Sequence, residues 1–147
     1  MFENLVSSYY AEEELDNALL NKIGESLHRA KAFMTYEEKQ ILQDTHSFHD
    51  WYLIEYRVYC EKNVKKCKLV LSRGPMVYQL FLSEIISFST CGELVSDNAN
   101  YPQSWQNSSI AQVLTLWLDY QNCFGFCLLL DNERYINIQA RNFCIQK

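Results

Sequence analysis

The apolar residues change period once, near residue 45, and that single change restricts the chain to few architectures. Upstream, Leu15, Leu19, Ile23 and Leu27 step by four, with Ala18, Leu20 and Ala30 widening the stripe, which is the spacing of an amphipathic helix. Glu12 to Asp16 load its first turn with negative charge, the sign a helix N-terminus favours. Thr35-Tyr36-Glu37-Glu38 then reads as a capping box opening a second helix, with Ile41 and Leu42 on its buried side and its end near Thr45.

Downstream the period is two. Tyr52, Ile54, Tyr56, Val58 and Cys60 are predicted to share one strand face, with Glu55 and Arg57 wetting the other. Cys67, Leu69 and Leu71 repeat the pattern after a charged turn over Glu61–Lys66, and Arg73-Gly74-Pro75 is a strong turn signal. Met76–Leu82, Ile85–Thr90, Val113–Tyr120, Cys123–Leu130, Arg134–Ala140 and Phe143–Gln146 complete the β segments. Successive strands without intervening helices argue for antiparallel pairing. The expected fold is α+β: two N-terminal helices followed by an antiparallel β-meander of about seven strands. It is one domain spanning 1–147, with 1–45 helical and 46–147 sheet.

Composition fits one globular domain. A chain of 17.4 kDa with 48% hydrophobic residues and only 4 Gly and 2 Pro hides enough apolar surface to offset its ordering entropy. Apolar runs such as Phe126-Cys127-Leu128-Leu129-Leu130 fall far short of the roughly 20 residues a bilayer demands. Met1-Phe2-Glu3-Asn4 and Glu12-Glu13-Glu14 lack the pattern of a signal peptide, so the expected location is the cytoplasm, where the six cysteines stay reduced.

Charge is unevenly spread. Residues 1–50 hold ten of the 18 acids and four of the 13 bases, a local charge of −6, and the rest of the chain is close to neutral. Such a field repels phosphate backbones and attracts cationic proteins. The expected partner is therefore a basic protein, with neither nucleic acid nor membrane. The one basic cluster, Lys62, Lys65, Lys66 and Lys68, has no aromatic inside its run, which argues against base stacking.

Three constellations hold residue types that carry chemistry. Asp44, His46, His49 and Asp50 hold metal-ligand residue types, but a helical His-x-x-His face is incompatible with the strand that follows. His49 and Asp50 read instead as a structural motif opening the sheet. Cys60 and Cys67 lack a zinc-knuckle spacing, and Cys123 and Cys127 would share a strand face about 13 Å apart. Four glycines leave no phosphate-binding loop and no nucleophile elbow. No catalytic, cofactor-binding or metal-binding residue is assigned, and no cofactor is expected.

Residues 91–109 form the longest irregular stretch, and such loops are commonly functional. With the acids, they supply the candidate protein-binding residues: Glu12, Glu13, Glu14, Asp16, Glu37, Glu38, Asp97, Tyr101 and Trp105.

Phe48-His49-Asp50-Trp51-Tyr52-Leu53-Ile54-Glu55 resembles the strand that opens the β-meander of many small bacterial proteins, found among immunity proteins of polymorphic or contact-dependent toxin systems. The likeness spans residues 46–147 in outline, with His49-Asp50 as its motif. It implies a protein that binds and neutralises one cognate toxin domain, such as a basic nuclease, without catalysis of its own. Two other readings stand beside it: a small ligand-binding or homodimeric assembly module, and, ranked last, a His/Asp metal-dependent enzyme.

Overall fold

The computed structural model describes residues 17–90, 108–130 and 135–147. Two helices, α1 (Asn17–Lys31) and α2 (Tyr36–Asp44), precede strands β1 (Tyr52–Glu61), β2 (Val64–Arg73), β3 (Met76–Thr90), β4 (Ser108–Leu118), β5 (Cys123–Leu130) and β6 (Tyr135–Gln146). The expected class holds: helices first, then an antiparallel sheet. Neighbouring strands pair antiparallel in the order β1-β2-β3-β6-β5-β4, and β4 returns to β1 to close a barrel.

Among the described residues the β segments amount to six strands. Met76–Leu82 and Ile85–Thr90 are one strand, bent where Glu84 takes a left-handed φ of 54° and the register with β6 slips between Ile85 and Ser87. Arg134–Ala140 and Phe143–Gln146 likewise merge into β6 from Tyr135 onward. The hairpins turn tightly. Lys62 and Asn63 sit at φ 51° and 63°, as a two-residue turn matching strand twist requires, and Gly74 at φ 59° opens the next loop.

The barrel interior is packed. Phe48, Trp51, Leu53, Tyr56, Leu69, Leu71, Leu80, Leu82 and Phe126 are all almost wholly buried in one cluster. A second cluster lies on the outer face of β4 and β5, where Ile23 and Leu27 of α1 cover Leu114, Leu116, Leu118, Cys123, Cys127 and Leu129. β5 is thus buried at every position, which explains its unbroken apolar sequence. The expected shared face of Cys123 and Cys127 is present, within this outer cluster.

The predicted helices need two adjustments. Ala18 and Leu20 are exposed rather than widening the buried stripe, and the acidic turn Glu12–Asp16 lies outside the described residues. The capping box is present in full: the Thr35 hydroxyl accepts from Glu38 N–H at 3.1 Å, and Glu38 Oε1 accepts from Thr35 N–H at 3.0 Å. α2 ends at Thr45, with Ile41 and Leu42 packed against the barrel core.

Candidate binding surfaces

The barrel closes along the seam between β1 and β4. Among the described residues, Tyr52 with Ser109 and Leu53 with Ser108 pair as β1–β4 partners. The residues before β1 extend the contact: Asp50 N–H donates to Ile110 O at 2.9 Å, Ile110 N–H to Trp51 O at 2.7 Å, and Val113 N–H to Ser47 O at 3.2 Å. To run this way the chain leaves α2 through a left-handed turn, with His46, Ser47 and Phe48 at φ 51°, 55° and 58°. Left-handed backbone costs roughly 1–2 kcal/mol per residue. Here it is offset by the buried Phe48 ring, which meets Trp51 edge-on at 5.2 Å, and by Thr45, whose hydroxyl donates to Ile41 O at 2.7 Å.

His49 and Asp50 belong to this seam. The Nδ1–H of His49 donates to the Ala111 carbonyl at 2.6 Å, beside the bulge in β4. Its Nε2 lies 3.6 Å from Asp50 Oδ2, and both side chains are exposed. The pair acts on the barrel's closure.

Immediately past it, β1 presents its outer face. Side chains of paired residues point the same way, so Ser109, Tyr52, Ser72 and Val77 form one row across β4, β1, β2 and β3. Tyr52 is 45% exposed and Val77 41%, with exposed Met76 at the adjoining turn. Sequence alternation had placed Tyr52 on the same face as Tyr56 and Val58. A bulge between Leu53 and Glu55 shifts the phase, so Leu53, Tyr56 and Val58 point inward while Tyr52 points out; Cys60 keeps the phase of Val58 and is exposed because it lies near the end of β1.

Of the predicted protein-binding residues, Glu37 is exposed next to exposed Tyr36 at the start of α2. Glu38 is a correction: it is only 7% exposed and engaged by Thr35 and by Ile145 N–H, so it is withheld from the surface. Glu12, Glu13, Glu14, Asp16, Asp97, Tyr101 and Trp105 lie outside the described residues.

Two further features escaped sequence reading. Strand register brings aromatics between the basic residues: Arg57, Lys68 and Phe81 form one outer row, and Tyr59, Lys66 and Ser83 the next. The Arg57 guanidinium lies 5.2 Å from the Tyr59 ring centroid, and a groove of about 260 Å³ runs by Tyr59, Lys66, Phe81 and Asn142. The second feature is a cleft of about 350 Å³ between α1, α2 and β4, lined by Leu27, Lys31, Met34, Lys39, Leu42, Gln43, Ser47, Val113 and Thr115. Thr115 is buried and its hydroxyl has no hydrogen-bond partner among the described residues, which costs about 1–3 kcal/mol. Both features depend on residues far apart in sequence, so no local signal marks them.

Cys60, Cys67, Cys123, Cys127 and Cys144 are thiols rather than disulfides. Burial pushes the Cys67 and Cys127 thiols well above the usual range. It raises Cys123 as well, with Arg141 opposing. Thiolates are therefore disfavoured at these three positions. Among the described residues no group of three or more His, Cys, Asp or Glu is arranged to hold a metal ion. No described helix is long and apolar enough to cross a membrane.

Compared with known proteins, the chain matches no family profile and no curated protein. Among solved structures it is similar to an uncharacterized protein from Neisseria gonorrhoeae, at 16% identity and a TM-score of 0.45, covering 68% of this chain and 93% of that one.

Proposed function

We propose that this chain is a non-catalytic binding protein of the immunity type, which neutralises a cognate toxin domain by occupying it. The observation that carries the reading is the exposed row Ser109–Tyr52–Ser72–Val77 beside the barrel seam, continued by Met76. Tyr and Met are enriched where proteins meet, and an exposed aromatic on a rigid strand loses little entropy on docking. The packed barrel interior directs recognition to the outer surface. Asp44, Asp50 and Glu37 are exposed acids on α2 and the seam, and they supply the charge expected to draw a basic partner.

The test is calorimetric titration of the chain with the product of the neighbouring gene, together with an assay of that product's toxicity. Saturable 1:1 binding that abolishes toxicity, weakened by salt, is the expected result. Undiminished toxicity at saturating chain excludes neutralisation, and salt-insensitive binding excludes the electrostatic part.

A second reading rests on the rows Arg57–Lys68–Phe81 and Tyr59–Lys66–Ser83, which suit an anionic partner. Binding lost in Lys66→Glu/Lys68→Glu and retained in Tyr52→Ala favours it over the first.

A further inference from the structure

We infer that the cleft between α1, α2 and β4 is a binding site for a small amphipathic carboxylate. Its volume of about 350 Å³ lies in the range of small-molecule sites, roughly 300–1,000 Å³. Leu27, Met34, Leu42 and Val113 give it an apolar wall. Lys31 closes α1 and Lys39 lies on α2, so two cations reach the cleft from different helices. Both are exposed, neither has a carboxylate partner among the described residues, and none of the lining residues is acidic. The positive charge is therefore available to an anion.

Thr115 supplies an independent observation. It lines the same cleft at only 4% exposure, and its hydroxyl has no hydrogen-bond partner among the described residues. A buried hydroxyl without a partner is costly in a finished core and useful in a site where a ligand's polar group completes it. Apolar wall, paired lysines and a deep hydroxyl together select a monoanion with a short hydrocarbon body. Inorganic phosphate would meet the lysines and gain nothing from the wall; a neutral alcohol would do the reverse. The cleft is also joined to the seam, since its lining residues Ser47 and Val113 are bonded to each other.

The test uses octanoate as the probe and the methionine methyl resonances as the readout. Met34 lines the cleft, and Met76 lies at the exposed β2–β3 turn as an internal control. Octanoate is expected to shift the Met34 methyl saturably while Met76 stays still, and to bind at least tenfold more tightly than octanol or phosphate. Lys31→Ala/Lys39→Ala should abolish the preference for octanoate over octanol. Thr115→Val should weaken octanoate severalfold with the melting temperature unchanged or raised, because the variant removes the unpartnered hydroxyl. Failure of Met34 to shift saturably, equal shifts at Met34 and Met76, or a preference that survives in the double lysine variant would each overturn the site. These readouts are independent of toxin binding.

Discussion

Glu38 joins the two ends of the described fold by bonding to Ile145. Its Oε2 accepts the Ile145 N–H of β6 at 3.3 Å while Oε1 accepts the Thr35 N–H at its own helix cap. One buried carboxylate thus starts α2 and fixes that helix against the last strand. Glu38→Ala removes both bonds and leaves a backbone N–H unsatisfied. The expected loss is about 2–3 kcal/mol, a melting temperature lower by roughly 5–10 °C. Glu38→Gln keeps one acceptor oxygen and should lose about half as much. Urea denaturation of the two variants beside Thr35→Ala, which removes only the hydroxyl's bond from Glu38 N–H and keeps both carboxylate bonds, distinguishes the carboxylate's contribution from that of the capping hydroxyl.

The buried thiols give a pH dependence of definite sign. Cys67, Cys123 and Cys127 have folded pKa values raised by burial above the usual 9.0. The unfolded chain therefore loses these protons first. Their contribution is complete below about pH 9 and declines above it, by up to about 1.4 kcal/mol per pH unit for each fully shifted thiol. Tyr56, raised by burial and then by Cys67, acts in the same direction at higher pH. Urea midpoints between pH 8 and 11 should fall steeply beyond pH 9, and Cys127→Ala, corrected for its cavity, should flatten the curve. In a Cys91→Ser background, a thiol reagent should label Cys60 and Cys144 in the native state and the three buried thiols only on unfolding.

Local signals were readable in the sequence, and long-range register was not. Thr35 and Glu38 sit three residues apart, so the capping box is visible in the chain itself and appears as expected. Cys67, Leu69 and Leu71 alternate without interruption and point inward as predicted. β1 differs because its bulge after Leu53 inserts one residue, and alternation carries no mark of an insertion. Tyr52, a surface residue of interest, therefore read as core. The interleaving of Phe81 with Arg57 and Lys68, the convergence of Lys31 with Lys39 and Thr115, and closure of β1 on β4 all depend on which strand lies beside which. Glu38 read as a surface acid because its cap role is local while its bond to Ile145 spans 107 residues.

At the seam, packing outweighs polar contact. The His49 bond to Ala111 O is made by an exposed side chain, so His49→Ala should lower stability by no more than about 1 kcal/mol. Trp51 is buried between Phe48 and Tyr78, and Trp51→Ala should cost about 3–5 kcal/mol. Ile110 lies at the β1–β4 seam beside the bulge in β4, so hydrogen exchange there should be faster than at Phe126 in the doubly covered β5. His49→Ala should widen that difference without unfolding the barrel.

In the proposed function, recognition takes place on the outer row beside the seam, with Tyr52 at its centre. The most direct measurement is the affinity of wild type and Tyr52→Ala for the product of the neighbouring gene, by calorimetry, with both melting temperatures recorded. Saturable binding by wild type is expected, with at least tenfold weaker binding by Tyr52→Ala and melting temperatures within about 2 °C, the shift of a surface substitution worth under 0.5 kcal/mol. Equal affinity of the two proteins, or no binding by wild type, would contradict it.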